Sequence, residues 1–206
     1  MFSGVAHASE FRALISQEIL QGLESGTSDD VTESLAVVQA AYTDHLFEPI
    51  WTRETGPKPK ALALAESLRA LEFDGLEPAD YGVETINQLL AADDAESWAK
   101  LEIALSLALV QAASDLASGR LVPRQVYPSV YVFPQDVDKA DVLQRARTAP
   151  DINNFMQGFQ PAQDNYHRLK IALLRYRHFA KTGWPLIPKG PSLKLGDRGA
   201  RVKKVR

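Results

Sequence analysis

The chain has 206 residues, of which 45% are hydrophobic and 24% are charged, as is typical of a globular protein with a substantial core. It contains no cysteine, which excludes disulfides, thiolate metal sites and a cysteine nucleophile within these residues. The net charge of −3 hides an asymmetry, because residues 1–164 contain 11 Lys/Arg against 25 Asp/Glu whereas residues 165–206 contain 12 against one.

The first elements are helical by their apolar periodicity. Ala6-His7-Ala8 has the small-x-small form of a signal-peptidase site, so residues 1–8 are interpreted as the remnant of a leader peptide. Ser9 is expected to cap a helix that runs to about Gly22. A second helix is predicted from Val31 to His45, where apolar residues recur every three to four positions.

A proline-initiated helix and a long apolar helix follow. Pro59 favours the first turn of a helix with an apolar stripe, and Gly75 suits the left-handed residue at its end. The longest helix is predicted from Glu96 to Ser118 and ends at Gly119; because it is apolar on nearly every side, we expect it to form the core. Polar residues interrupt it too often for a bilayer span, so we predict no membrane-spanning segment. The apolar stripe of the earlier helix comprises Leu62, Ala65, Leu68 and Leu71.

The second half contains a proline-rich loop, short helices and a basic helix. Residues 119–136 are predicted as the loop, with a short extended piece at Val130–Phe133. Short helices are predicted at Asp138–Arg147 and Asp151–Gly158, and a longer amphipathic one at Tyr166–Lys181. The apolar face of the last helix, which we expect to be core, comprises Tyr166, Leu169, Leu173, Tyr176 and Ala180.

These elements predict an all-α fold: an irregular helical bundle around one long buried helix, with proline-rich loops. Its predicted boundaries are a helical domain at residues 9–182 and a linker at 183–191, where Gly and Pro are dense. The basic end can bind nucleic acid, an anionic membrane surface or an acidic polymer, or it can lie on the acidic body of its own protein.

No catalytic pattern is present in the sequence. None of the four histidines has metal-ligand spacing, and no serine lies in a Gly-x-Ser-x-Gly or Ser-x-x-Lys motif. The paired carboxylates Asp29-Asp30, Asp93-Asp94 and Asp136 with Asp138 lie at loops or helix starts, where Asp caps backbone amides. We therefore predict no catalytic residue, no metal and no cofactor in this chain.

Five segments in order resemble the helical scaffold domain of large multi-domain L,D-transpeptidases, enzymes that form 3→3 cross-links in Gram-negative peptidoglycan. The resemblance covers about residues 40–190, which is most of the chain. The resemblance implies a non-catalytic scaffold that positions catalytic and wall-binding modules, in an exported, periplasmic protein. The segments are Phe47–Trp51, Asp74–Tyr81, Ser114–Leu121, Tyr166–Leu169 and Gly183–Pro188.

The last residues extend the resemblance. Residues 192–206 are similar to the start of a small peptidoglycan-binding module, with Asp197 expected to cap its first helix and Gly196 and Gly199 allowing the turn. We therefore expect the chain to be part of a longer protein. The family's catalytic cysteine has no counterpart here, so no catalytic residue is carried over.

The resemblance implies partners: the catalytic and peptidoglycan-binding modules of the same chain, peptidoglycan, and other cell-wall proteins. Two alternatives stay open, a free-standing cell-envelope adaptor and a nucleic-acid-binding helical domain, although we predict no nucleic acid and no membrane span. We expect the interdomain contacts in segments that are rich in aromatic residues and proline. The candidate contact residues are Phe47, Trp51, Tyr127, Tyr131, Phe133 and Trp184.

Overall fold

A computed structural model describes residues 3–25, 29–121, 123–129, 137–183 and 186–205. Within these ranges the fold is all-α, with one small antiparallel sheet, and the predicted fold class is confirmed. Two short 3₁₀ helices, at Leu71–Asp74 and Pro78–Tyr81, link the third and fourth helices. The α-helices are α1 Ser3–Glu24, α2 Asp29–Thr43, α3 Pro59–Ala70, α4 Val83–Leu90, α5 Ala95–Ser118, α6 Pro123–Val126, α7 Lys139–Thr148, α8 Ile152–Gln157, α9 Asp164–Thr182 and α10 Ala200–Val205; the strands are β1 Thr52–Arg53 and β2 Gly56–Pro57.

Helix α5 forms the centre of the first part of the chain, as predicted. It packs against α1, α2, α3, α4 and α7. The Asp94 carboxylate accepts a hydrogen bond from the Ser97 backbone amide (2.8 Å), and Gly119, with φ +79°, ends the helix. With a mean hydropathy of 1.3, α5 is long and apolar enough to cross a membrane, but 61% of that stretch is buried among the other helices, as in the core of a soluble protein.

The start of α1 differs from the expectation. The helix begins at Ser3, so Ser9 lies inside it and is not its cap. The physical reason is that residues 3–8 contain no proline to stop the helix, and Ala6 and Ala8 favour it. The apolar residues at helical spacing face the core as expected: Phe11, Ile15 and Ile19 are buried.

The buried stripe of α3 is also shifted from the prediction. Pro59 lies in its first turn as expected. Leu62, however, is exposed. The buried residues follow the three-to-four-residue spacing of one helical face, which the predicted stripe that began at Leu62 did not match. Gly75, with φ +81°, adopts the left-handed conformation after the 3₁₀ turn that continues α3. The buried residues of α3 are Ala61, Leu64, Ala65 and Leu68.

Carboxylates cap α7 and α8, as the sequence predicted for such positions. Asp138 accepts hydrogen bonds from the backbone amides of Ala140 (2.9 Å) and Asp141 (3.1 Å). Asp151 does the same at the start of α8. The apolar residues of both helices, Val142, Leu143, Ala146, Ile152 and Met156, are buried in the core.

The described chain divides into two compact units, residues 1–162 and 163–206. The division falls before α9, whereas the predicted linker at 183–191 lies within the second unit. The expectation that the apolar face of α9 is core is wrong, since none of the residues of α9 is buried and Leu169 and Tyr176 are 68% and 61% exposed. The predicted extended piece at Val130–Phe133 lies outside the described residues.

The turn before α10 agrees in part with the sequence. Gly196 and Gly199 have φ +99° and +143°, so the turn requires glycine at both positions, as expected. Asp197 does not cap α10. Its carboxylate instead accepts a hydrogen bond from the Lys194 backbone amide (2.7 Å), which closes the turn itself.

Candidate functional site

The six candidate contact residues differ in their solvent exposure, and the structure describes three of them. Trp51 is 0% exposed, so the expectation that it lies on a contact surface is corrected: it is a core residue. Phe47 is half-buried and packs against the core, whereas Tyr127 is 66% exposed and stays a candidate contact. The remaining three, Tyr131, Phe133 and Trp184, lie outside the described residues.

A buried carboxylate explains the burial of Trp51. Glu102, in the middle of α5, is fully buried and faces the segment that joins α2 to β1. Its carboxylate accepts hydrogen bonds from the backbone amides of Ile50, of Trp51 (3.0 Å) and of Thr52 (2.7 Å). Ile50 and Trp51 lie between α2 and β1 and Thr52 begins β1, and the carboxylate satisfies these three consecutive amides inside the core.

Side chains complete this network, which we call the Glu102 clamp. The hydroxyls of Tyr42 (2.6 Å) and Thr52 (2.7 Å) also donate to the Glu102 carboxylate. One turn along α5, Ser106 Oγ accepts from Trp51 Nε1 (2.9 Å) and lies 2.8 Å from the Tyr42 hydroxyl. Every polar group of the clamp thus has a partner, the condition under which a buried polar network specifies one packing.

Burial determines the pKa values of the ionisable groups in the clamp. Burial raises the pKa of Glu102, and the hydrogen bonds from Tyr42 and Thr52 oppose that rise in part. Burial, together with the negative charge of Glu102, also raises the pKa of Tyr42. Because Glu102 has no exposed surface, it cannot reach a substrate, and its role is to hold the chain.

The clamped segment is secured from other sides as well. Lys58 Nζ donates to the backbone carbonyls of Pro49 (2.6 Å) and Ile50 (3.2 Å), and its burial lowers its pKa. Within this segment, before the amides that donate to Glu102, Leu46 and Phe47 have φ of +52° and +56°, a left-handed conformation that non-glycine residues rarely adopt. The surrounding contacts therefore hold a strained turn in place.

A second polar cluster joins two distant segments at the other end of α5. The Tyr81 hydroxyl donates to the buried Asp115 carboxylate (2.8 Å), which also accepts from Gln111 Nε2 (3.1 Å). Arg120 makes an ion pair with Asp80 and lies 3.9 Å from Asp115 through Nε. Burial, followed by the hydrogen bond to Asp115, raises the pKa of Tyr81. We call this cluster the Asp115 joint.

A groove of about 300 Å³ lies beside the Asp115 joint, between α2, α4 and α5. Its walls are mainly apolar, with Ile86, Ala104 and Leu107 among them, and Asp80 and Gln111 supply polar atoms at its edge. Concave apolar sites of this size are common binding sites. The groove is thus a concave, mainly apolar feature of the first unit that adjoins a polar cluster.

Tyr81→Phe is expected to reduce the free energy of unfolding by about 1.5–3 kcal/mol, because it removes a hydrogen bond to a buried carboxylate and leaves Asp115 with fewer donors. Urea unfolding of the full chain, followed by circular dichroism at 222 nm as a conventional helix signal, measures the change. Tyr127→Phe, which alters an exposed tyrosine, is the matched control and should have no effect. Equal stability of the two variants would show that the Asp115 joint contributes nothing.

Sequence reasoning missed both polar clusters, although each left a signal. Glu102 and Asp115 are acidic residues in an otherwise apolar helix that was predicted to be buried, and a buried charge requires partners. The sequence could not show which partners. Among the described residues, no group of His, Asp and Glu has the arrangement to hold a metal ion.

A comparison with known protein families finds a match to the middle of the chain. A family model described as "Scaffold domain" matches residues 36–173, which extend from the second half of α2 to about the middle of α9. No curated protein and no solved structure matches the chain. The matched region contains both the Glu102 clamp and the Asp115 joint.

Proposed function

Since the chain belongs to the scaffold-domain family, we propose that it is the non-catalytic scaffold region of an L,D-transpeptidase that acts in 3→3 cross-linking of peptidoglycan. In this role the helical body positions the catalytic module and a wall-binding module. The proposed partners are those two modules of the same chain, peptidoglycan and other cell-wall proteins, and the proposed location is the periplasm.

The position of the motifs in the fold supports this proposal. The Glu102 clamp ties the segment Phe47–Trp51 to α5, and the Asp115 joint ties Asp74–Tyr81 to Ser114–Leu121. These are three of the five segments that resemble the transpeptidase scaffold, and all three lie within the family match. Their side chains serve to fix the chain path, which is what a scaffold requires.

Deletion of the scaffold in the encoding bacterium tests the proposal. The chromosomal gene would carry an epitope tag and an in-frame deletion of the codons for residues 36–173, and peptidoglycan would be digested and analysed for 3→3 cross-linked muropeptides. We expect the cross-links that depend on this gene to fall to the level of a whole-gene deletion, while the truncated protein is still detected by its tag. Unchanged cross-linking in both deletions would reject the role in peptidoglycan.

The undeleted tagged protein separates the alternatives. The proposal predicts a periplasmic band well above 22.7 kDa, the mass of this chain. A periplasmic band near that mass would favour a free-standing adaptor. A cytoplasmic protein that retains DNA or RNA at low salt and releases it steeply as salt rises would favour the nucleic-acid-binding alternative.

A further inference from the structure

A cavity of about 230 Å³ lies beside the β1–β2 hairpin in the first unit, and charged side chains line it. We propose that this hairpin cavity binds a small zwitterion, an amino acid or a dipeptide. The carboxylate of the ligand would bind to Arg12 and Arg53, and its ammonium group to Glu48 and Glu54. The cavity is separate from the Asp115 joint and its groove, and the proposal does not depend on the function proposed above.

The concentration of cations at the cavity is the first observation. The first 100 residues contain only six Lys/Arg, and three of them, Arg12, Arg53 and Lys58, line this one cavity. They come from α1, from β1 and from the residue before α3, so the fold brings them together from separate elements. In a region that is otherwise strongly acidic, this makes the cavity a local site for an anionic group.

The two guanidinium groups are available for a ligand. In the described part of the chain, neither Arg12 nor Arg53 has a hydrogen-bond or ion-pair partner. Lys58 Nζ, by contrast, donates to the carbonyls of Pro49 and Ile50, so it contributes charge to the wall while it holds the loop. Arginine presents a planar fork of donors that matches a carboxylate in a bidentate geometry.

The cavity is lined by two carboxylates as well as by cations. Glu48 and Glu54 also line it, and in the described residues neither carboxylate has a hydrogen bond or an ion pair, although the charge of Glu48 acts on Lys58. A ligand with only a carboxylate would leave both without a hydrogen-bond donor. A ligand with an ammonium group a few ångströms from its carboxylate satisfies both sets, which is the charge pattern of an amino acid or a short peptide.

The wall of the cavity is rigid, because it is continuous with the Glu102 clamp. Thr52 lines the cavity, and both its amide and its hydroxyl are held by the Glu102 carboxylate at 2.7 Å. Arg53 follows directly and pairs with Gly56 across the hairpin. A site on such a supported element loses little conformational entropy when a ligand binds.

The volume limits the ligand. Cavities for drug-sized molecules measure about 300–1,000 Å³, and 230 Å³ is below that range. Phe11 and Pro49 supply apolar wall beside the charges, which suits a small side chain. An amino acid or a dipeptide is therefore the size class that fits.

Three probes test the charge requirement on the full chain. Glycylglycine carries both charges, N-acetylglycylglycine only the carboxylate, and glycylglycinamide only the ammonium. Titration monitored by amide chemical shifts in NMR should move the amide signals of residues 8–12 and of the non-proline residues in 48–58. We expect glycylglycine to bind about tenfold more tightly than N-acetylglycylglycine, and glycylglycinamide to produce no shifts there.

Charge variants identify the residues. Arg53→Gln is expected to weaken glycylglycine binding by about tenfold or more, and Arg12→Gln, on a different element, provides an independent measurement if the first variant folds poorly. Arg69→Gln removes the same charge from an exposed position on α3 and should bind as the unaltered protein does. Thermal unfolding of each variant checks that it is folded.

Several results would overturn the proposal. Absence of shifts at the cavity with all three probes would show that it is not a site. Equal affinity for glycylglycine and its N-acetyl derivative would remove the role of Glu48 and Glu54, and equal weakening by Arg69→Gln would reduce the effect to net charge. Because this test measures binding in vitro, its failure leaves the cross-linking test above unaffected.

Discussion

Glu102→Ala is expected to lower the free energy of unfolding by about 3–5 kcal/mol, because it removes a buried carboxylate of α5 and leaves its hydrogen-bond donors without a partner. The substitution removes the acceptor of the amides of Ile50, Trp51 and Thr52 and of two hydroxyls. Each buried donor left without a partner costs about 1–3 kcal/mol. Since domains are stable by about 5–15 kcal/mol, a loss of this size brings the protein close to unfolding.

Urea unfolding of the full chain measures this loss as a shift of the transition midpoint. Glu96→Ala is the matched control, because it makes the same change in the same helix at an exposed residue whose carboxylate pairs with Lys100. Exposed pairs of this spacing contribute about 0.3–0.5 kcal/mol, so the control should be almost unchanged. A loss below about 1 kcal/mol for Glu102→Ala would refute the clamp as a stabilising element.

Trp51→Ala is expected to cost about 3–5 kcal/mol, the range for truncating a large aromatic residue in a core. The indole is completely buried and donates to Ser106, so the variant creates a cavity and removes one of the two hydrogen-bond partners of Ser106 Oγ. Trp51→Phe keeps most of the volume and should cost less, mainly through the lost hydrogen bond of about 0.5–1.5 kcal/mol. Urea unfolding of the three proteins gives the order directly.

Tyr127→Ala is the control for this prediction, because it truncates an aromatic residue of the same candidate contact set that is 66% exposed. Its stability should stay within about 0.5 kcal/mol of the unaltered chain. If Trp51→Ala were equally harmless, Trp51 would be a surface residue after all and the burial described above would be wrong.

The two large effects should not add. Glu102 and Trp51 hold the same segment, since the Glu102 carboxylate accepts a hydrogen bond from the Trp51 amide. The carboxylate also accepts from the Tyr42 hydroxyl, and the Trp51 indole donates to Ser106. Once one of them is removed, the segment can rearrange and the second substitution has less to disrupt. We expect the double variant to lose less stability than the sum of the single variants.

The family match and the resemblance to L,D-transpeptidases both indicate a scaffold, but only the resemblance indicates an enzyme and a cellular location. Membership of the scaffold-domain family is consistent with a scaffolding role for residues 36–173. The transpeptidase, the peptidoglycan and the periplasm are parts of the proposal, and they depend on the cross-linking and fractionation tests. The hairpin cavity adds a binding activity that a purely mechanical scaffold would not have, and the peptide titration addresses it separately.

Local signals in the sequence were sufficient for much of the fold. The length and end of α5 followed from an apolar run between Asp94 and Gly119, and the carboxylate at Asp138 marked the start of α7. These signals work because a helix, its cap and its stop are determined by residues within a few positions of one another. The family resemblance likewise depended on short segments and their order.

Only the tertiary structure decided what is buried and what is joined. Glu102 bonds to amides 50–52 positions away along the chain, and Tyr81 bonds to Asp115 at a distance of 34 residues. Trp51 was expected at a surface because its segment is rich in aromatic residues and proline. The face of α9 was expected in a core because an amphipathic pattern shows which residues share a side but not whether another element covers it. Burial and partnership are properties of long-range packing, and in this protein they convert two acidic residues of an apolar helix into the polar joints of its fold.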